Sequence, residues 1–309
     1  MIQGKDLVKR YGKLVAIDHR DLTIRENEVY GLLGPNGSGK TTLINCVLAL
    51  LKFDKGQILI DGKEMSPTAY DIKRKIGVVP QEVAYFDELT VKENIDYFCG
   101  LYVSDPEERK RLVDEAIEFT GLQDFTKFRP QKLSGGLKRR LNIACGVVHK
   151  PSILFLDEPT VAVDPQSRNH ILQGVRSLSR QGVTVIYTTH YMEEAEAICD
   201  RVGIIDKGQL LAEGTTDELK SMINSGDTIR VELVPTDNGN LNEIRHMEGV
   251  VDVEIEHDTL SVRTKPGVYI LDNLIRFLHD HDIRYQTVYS EKPTLNTVFL
   301  EITGRELRD

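Results

Sequence analysis

With 309 residues, 40% of them hydrophobic and 28% charged, the chain has the composition of a soluble globular protein large enough for two domains. Its net charge of −9 argues against a nucleic-acid backbone as the main partner, because proteins that bind one present a basic face. Apolar stretches such as Cys46-Val-Leu-Ala-Leu-Leu51 fall far short of the roughly 18 residues of a membrane span, and the N-terminus lacks signal-peptide order, so the expectation is a cytoplasmic chain. Cys46, Cys99, Cys145 and Cys199 sit far apart with no Cys-x-x-Cys pair, which suits reduced, buried thiols without a functional role.

The first informative element is the apolar run Val29-Tyr-Gly-Leu-Leu33, a predicted strand, followed by Gly34-Pro-Asn-Gly-Ser-Gly-Lys-Thr41 and a predicted helix over residues 41–50. The middle segment fits Gly-x-x-x-x-Gly-Lys-Ser/Thr, a loop whose backbone N–H groups wrap phosphates where a buried strand meets a helix N-terminus. Gly34, Pro35, Asn36, Gly37, Ser38, Gly39, Lys40, Thr41 and Thr42 are therefore the candidate contacts to a nucleotide. In that pattern Lys40 pairs with the β- and γ-phosphates, and the Thr41 hydroxyl ligates magnesium.

Leu133-Ser-Gly-Gly-Leu-Lys-Arg-Arg140 comes next, with Ser134 as a natural N-cap and Leu137, Leu141, Ala144 and Val148 on one helical face. The bare amides around Ser134, Gly135 and Gly136 suit an anion. Since the chain already has a phosphate loop, this spare site makes sense if it serves a nucleotide held by another subunit. The plainer reading is a flexible helix start with a solvated basic face at Lys138, Arg139 and Arg140.

Pro151-Ser-Ile-Leu-Phe-Leu-Asp-Glu-Pro159 is an unbroken apolar strand ending in two acids, as expected of a central parallel strand that delivers carboxylates to the sheet edge where ligands bind. Asp157 is suited to the magnesium shell and Glu158 to polarising the attacking water; the alternative is a pair of exposed acids in a turn. Further on, residues 215–220 predict a capped helix and residues 224–227 a turn-rich break. Thr228-Ile-Arg-Val-Glu-Leu233 alternates as a strand, residues 250–255 and 259–263 suggest a hairpin around His257-Asp258, and residues 269–279 read as an amphipathic helix. This small α+β unit carries no phosphate loop, metal cluster or nucleophile, so a structural or dimer-stabilising role is its first reading and regulation its second.

The order of these motifs resembles the ATP-binding subunits of ATP-binding cassette (ABC) transporters over roughly residues 1–220. Leu133-Ser-Gly-Gly136 looks like the signature motif, Asp157-Glu158 like the Walker B acids and Val161-Ala-Val-Asp164 like the D-loop. Gln81 looks like the Q-loop residue, and His190, after the apolar strand at residues 183–189, like the switch histidine that contacts the γ-phosphate. Tyr11 matches the aromatic that stacks on adenine. The resemblance implies a P-loop cassette with a mostly parallel core sheet, an antiparallel β subdomain and a helical subdomain over residues 1–223, and a small α+β domain over 224–309. It also implies ATP and magnesium as cofactors, Glu158, His190 and Gln81 as catalytic groups, and Thr41, Gln81 and Asp157 around the metal.

Leu137 stands where the signature usually has glutamine. With the following Lys-Arg-Arg-Leu, Val163-Asp-Pro-Gln-Ser-Arg168 and the tail Thr294-Leu-Asn-Thr-Val-Phe-Leu-Glu-Ile-Thr-Gly-Arg-Glu-Leu-Arg308, it is similar to the daunorubicin-resistance type of exporter ATPases. That implies a second copy or a paralogous cassette closing over ATP, and a multi-spanning permease that holds the chain at the inner face of the membrane. Permease contact is expected around residues 81–97, including Asp87 and Glu88. Alternatives are an importer ATPase and a permease-free ABC protein acting on a ribosome or DNA; the single cassette and the lack of sustained heptads disfavour the latter.

Overall fold

The computed structural model describes residues 2–223, 226–234 and 241–304. In chain order the first elements are β1 (Ile2–Tyr11), β2 (Leu14–Ile24), β3 (Val29–Leu33), α1 (Lys40–Val47), β4 (Lys55–Ile60), β5 (Lys63–Glu64), α2 (Tyr70–Lys73) and β6 (Ile76–Val79). Then come α3 (Val91–Gly100), α4 (Pro106–Thr120), α5 (Gly135–Val147), β7 (Ile153–Asp157), α6 (Pro165–Arg180), β8 (Thr184–Thr189), α7 (Met192–Ile198), β9 (Arg201–Asp206), β10 (Gln209–Gly214) and α8 (Thr216–Ser221). The last are β11 (Thr228–Leu233), β12 (Val250–Glu256), β13 (Thr259–Thr264), α9 (Leu271–Asp280), β14 (Tyr285–Glu291) and α10 (Leu295–Thr303). The chain divides into two compact units between Thr216 and Asp217.

The first unit holds a six-stranded sheet in the order β10-β9-β3-β8-β7-β6 and a four-stranded antiparallel sheet in the order β2-β1-β4-β5. In the larger sheet β9, β3, β8, β7 and β6 run parallel and only β10 is antiparallel. Every residue of β3, β7 and β8 is buried, as parallel strands covered on both faces require. The two sheets and α1 share one apolar core that includes Ile2, Leu7, Ile17, Tyr30, Leu43 and Phe155. A separate cluster joins Val91 and Ile95 of α3, Leu112, Val113 and Ile117 of α4, and Leu141, Ala144 and Cys145 of α5 into a helical layer. The mostly parallel core, antiparallel β subdomain and helical subdomain expected from sequence are all present. One boundary differs: α1 ends at Val47, short of residue 50, because Ala49 turns left-handed at φ 51° and Leu50 and Leu51 both donate back to Asn45 O.

In the second unit β11 lies between β13 and β14, with β12 outside β13, all antiparallel. With a 3-10 turn at Leu241–His246 and α9 as the two crossovers, this is a split β-α-β-β-α-β arrangement. Leu274 and Leu278 of α9 share a core with Ile229, Val231 and Val262. The expected hairpin forms, with His257 at φ 53° in its turn. The expected turn at residues 224–227 and the tail motif at 294–308 fall partly outside the described residues.

Candidate nucleotide-binding site

Four neighbouring parallel strands, in the order β3-β8-β7-β6, bring the candidate residues to one sheet edge. The phosphate loop leaves the end of β3, His190 follows β8, Glu158 follows β7 and Gln81 lies two residues past β6. Ligands of open α/β sheets collect at this carboxyl edge. A cavity of about 590 Å³ opens there, lined by Tyr11, Asn36, Lys40, Thr41, Gln81 and Glu158 among others, a volume suited to a nucleotide-sized ligand. Gly37, Gly39 and Thr42 also line it.

The loop is a cradle that side chains would fill. Gly39 sits at φ 106°, and a Cβ there would come within 2.4 Å of Ala16 O. The Ser38 hydroxyl is buried without a hydrogen-bond partner, so the loop holds a polar group in reserve. Lys40, 4% exposed, folds back: its Nζ donates to Gly34 O at 2.7 Å and Pro35 O at 3.2 Å, and pairs with Glu158 Oε1 at 3.1 Å.

Glu158 is the centre of the site. Besides Lys40, its carboxylate accepts from Gln81 Nε2 at 3.2 Å and faces His190 Nδ1 at 3.5 Å. Its backbone is left-handed at φ 47°, which turns its side chain away from the line of β7. Thr188, opposite Asp157 on β8, fastens the acid pair: its Oγ1 donates to Asp157 Oδ1 at 2.5 Å and accepts from Glu158 N at 2.9 Å. Both acids are buried, so the alternative of exposed turn acids does not hold.

The signature segment forms as expected: Ser134 caps α5, its Oγ accepting from Leu137 N at 3.3 Å. Gly136 lies where a Cβ would meet Ser167 Oγ at 2.4 Å and Asp164 Oδ2 at 2.8 Å, so this glycine lets α5 abut the cap of α6. The Ser167 amide and hydroxyl hold the Asp164 carboxyl below its usual range. Leu137 is half-buried against the helical core. The solvated basic face does not exist as such: Arg139 is buried and donates to Pro80 O at 3.1 Å, and Arg140 reaches the carbonyls of Thr120 and Gly121. Asn142 completes the link from α5 to the Q-loop, donating to Pro80 O and accepting from Ala84 N. Ser134, Gly135 and Gly136 do not line the cavity that Lys40 and Glu158 share.

A family model described as "ABC transporter" matches residues 17–161. The chain is 38% identical to the linearmycin resistance ATP-binding protein LnrL of Bacillus subtilis (strain 168), with all of both chains covered. The chain belongs to the ABC transporter ATP-binding family. It is 36% identical to the daunorubicin resistance ATP-binding protein DrrA3 of Streptomyces coeruleorubidus over 97% of this chain and 95% of that one. Residues 214–303 match the C-terminal domain of DrrA1-3-like ATP-binding proteins. The cassette MJ0796, solved as a dimer bound to ADP and Pi, superposes with a TM-score of 0.64 at 29% identity, covering 70% of this chain and 98% of that one. The chain is thus an ABC ATPase, binding and hydrolysing ATP as a subunit of an exporter. No helix among the described residues is long and apolar enough to cross a membrane.

Sequence reading singled out the acids, the loop and His190 but missed Thr188, Asn142, the structural role of Arg139, and Lys207, which joins the cavity from the β9–β10 turn. Only the turn pair Lys207-Gly208 carried a local signal, since the others act through partners far along the chain.

Proposed function

We propose that residues 1–223 run ATP hydrolysis in a dimer of cassettes that drives a separate permease, with residues 224–309 as an accessory domain. The observation that carries this reading is the convergence of Lys40, Gln81 and His190 on the Glu158 carboxylate. When the triphosphate enters, Lys40 leaves the Gly34 and Pro35 carbonyls and Glu158 for the outer phosphates. That exchange frees Glu158 to take a proton from the attacking water, while His190 senses the γ-phosphate and Tyr11, half exposed at the cavity's mouth, stacks on adenine.

Thr41 and Gln81, which line the cavity, and Asp157, at the end of the neighbouring β7, offer the oxygen donors that a hard cation takes. Magnesium bound there would neutralise phosphate charge. The hydroxyl of Ser134 and the amides of Gly135 and Gly136 cover a nucleotide held by the partner cassette, either a second copy or a paralogue. Leu137, packed inward, contributes only its backbone to that end.

The permease contact is the segment after Gln81. Phe86 and Tyr97 are each more than 40% exposed and meet edge to face at 4.9 Å, with Asp87 and Glu88 exposed beside them, a patch suited to a helix with an apolar side and basic ends. Through it the chain sits on the inner face of the membrane. Linearmycin and daunorubicin resistance in the relatives' names supports a drug-like, lipid or antibiotic-type cargo. Tagged Glu158→Gln, purified from detergent-solubilised membranes and analysed by mass spectrometry, should bring down a multi-spanning permease. If only soluble machinery came with it, the separate permease partner would be withdrawn.

A further inference from the structure

Glu194 is a buried carboxylate to which none of the roles above assigns any work. It lies in the first turn of α7 and is 3% exposed. Its Oε2 accepts three hydroxyl hydrogen bonds, from Thr160 Oγ1 at 2.8 Å, Tyr187 Oη at 2.8 Å and Thr189 Oγ1 at 3.0 Å. On its other side Arg168 of α6 brings Nε to 3.4 Å from Oε1. Burial, and then the adjacent carboxylate, hold the Tyr187 phenol well above its ordinary value, which keeps it a donor.

The donors come from segments that flank the reacting groups. Thr160 is two residues beyond Glu158, in the loop that runs to Asp164, and Thr189 immediately precedes His190. Thr189 Oγ1 also accepts from Tyr191 N at 2.9 Å, so the backbone on both sides of His190 is tied through one hydroxyl to Glu194. Arg168 lies over the Tyr191 ring at 4.7 Å, and that ring packs on His190 at 4.2 Å. His190 needs this support. Its buried Nδ1 makes no hydrogen bond, and the 3.5 Å to Glu158 is an ion-pair distance without bonding geometry. A buried carboxylate is a costly way to fill a core, and an apolar residue of similar volume often packs there at no loss.

We propose that Glu194 is a positioning residue for ATP hydrolysis, joining the loop after Glu158 to the end of β8 so that Glu158 and His190 keep their mutual placement. The proposal rests on the roles given above to Glu158 and His190. Displacement of a reacting group by about 1 Å costs on the order of 100-fold in rate.

The test uses the purified full chain, with ATP turnover and the affinity for a fluorescent ATP analogue measured for each variant. Thr160→Val and Glu194→Leu should each lower kcat about tenfold or more while KM and analogue Kd stay within about twofold, and Thr160→Ser should recover most of the loss. Turnover within twofold of wild type in Thr160→Val, or a loss of affinity at unchanged kcat, overturns the proposal. If Glu194→Leu fails to fold, the Thr160 pair decides alone. Glu158→Gln is measured in parallel: wild-type turnover there overturns the underlying site reading, whereas an inactive Glu158→Gln beside an active Thr160→Val removes only the role of Glu194.

Discussion

Lys40 and Glu158 answer each other's charge in a pocket that exposes about 5% of either, and on our reading they part when nucleotide arrives. Removing one member of a buried pair costs about 3–5 kcal/mol when the other charge is left alone. Here Gln81 still donates to Glu158, which places the cost of Lys40→Ala near the lower end. Lys40→Ala should therefore lower stability by about 3 kcal/mol in denaturant titration and weaken ATP binding by roughly 30–100-fold, the worth of a charge-assisted phosphate contact. Glu158→Gln keeps the shape and an acceptor oxygen but loses the base. It should bind ATP and lose hydrolysis by about 10²–10⁴-fold. Full turnover by Glu158→Gln in a phosphate-release assay would falsify its role as base.

At the scale of elements, α5 does two jobs: it presents the signature glycines at its start and grips the Q-loop through Arg139 and Asn142 in its body. Just past its end His149 stacks on Tyr102 at 3.8 Å and bonds Ile76 O at 3.2 Å, clamping the helical layer to the start of β6. Burial lowers the His149 pKa below its ordinary 6.5, so the unfolded chain takes up a proton first as pH falls. The stability gained is whole above about pH 6.5 and is lost as pH drops from there toward the folded value. Thermal melts at pH 7.5 and 5.5 should show a smaller drop for His149→Gln than for wild type, and equal drops would remove His149 from the acid response. Such cross-links explain what was legible beforehand. Unbroken apolar runs exposed β3, β7 and β8, whose residues are buried throughout, and local chemistry exposed the phosphate loop and the Ser134 cap. Arg139 looked solvated because nothing nearby in the chain says that Pro80 O, 59 residues away, is waiting for it. Thr188 looked like any strand residue because its value comes from the register that sets it opposite Asp157. Likewise α1 stops early through a left-handed Ala49, a conformation its propensity does not announce.

For the whole molecule, the cavity of Lys40 and Glu158 is open on a side that the chain's own signature segment does not line. On our reading a second cassette supplies that wall, and ATP is the ligand that favours the closed pair over separate chains. Ser134 is exposed and caps α5 through its oxygen, leaving its hydroxyl hydrogen free for a partner's phosphate. A bulky cation at this position keeps the monomer's own phosphate loop intact while filling the space into which the partner's nucleotide must fit. Ser134→Arg in a Glu158→Gln background should therefore bind a fluorescent ATP analogue with Kd within about twofold of the parent yet remain a monomer in light scattering with saturating ATP. The loss of the Ser cap itself accounts for only about 1 kcal/mol, too little to unfold α5, so circular dichroism should match the parent. A dimer that still forms in that variant would mean that the signature end does not meet the nucleotide, and each chain would have to complete its own site.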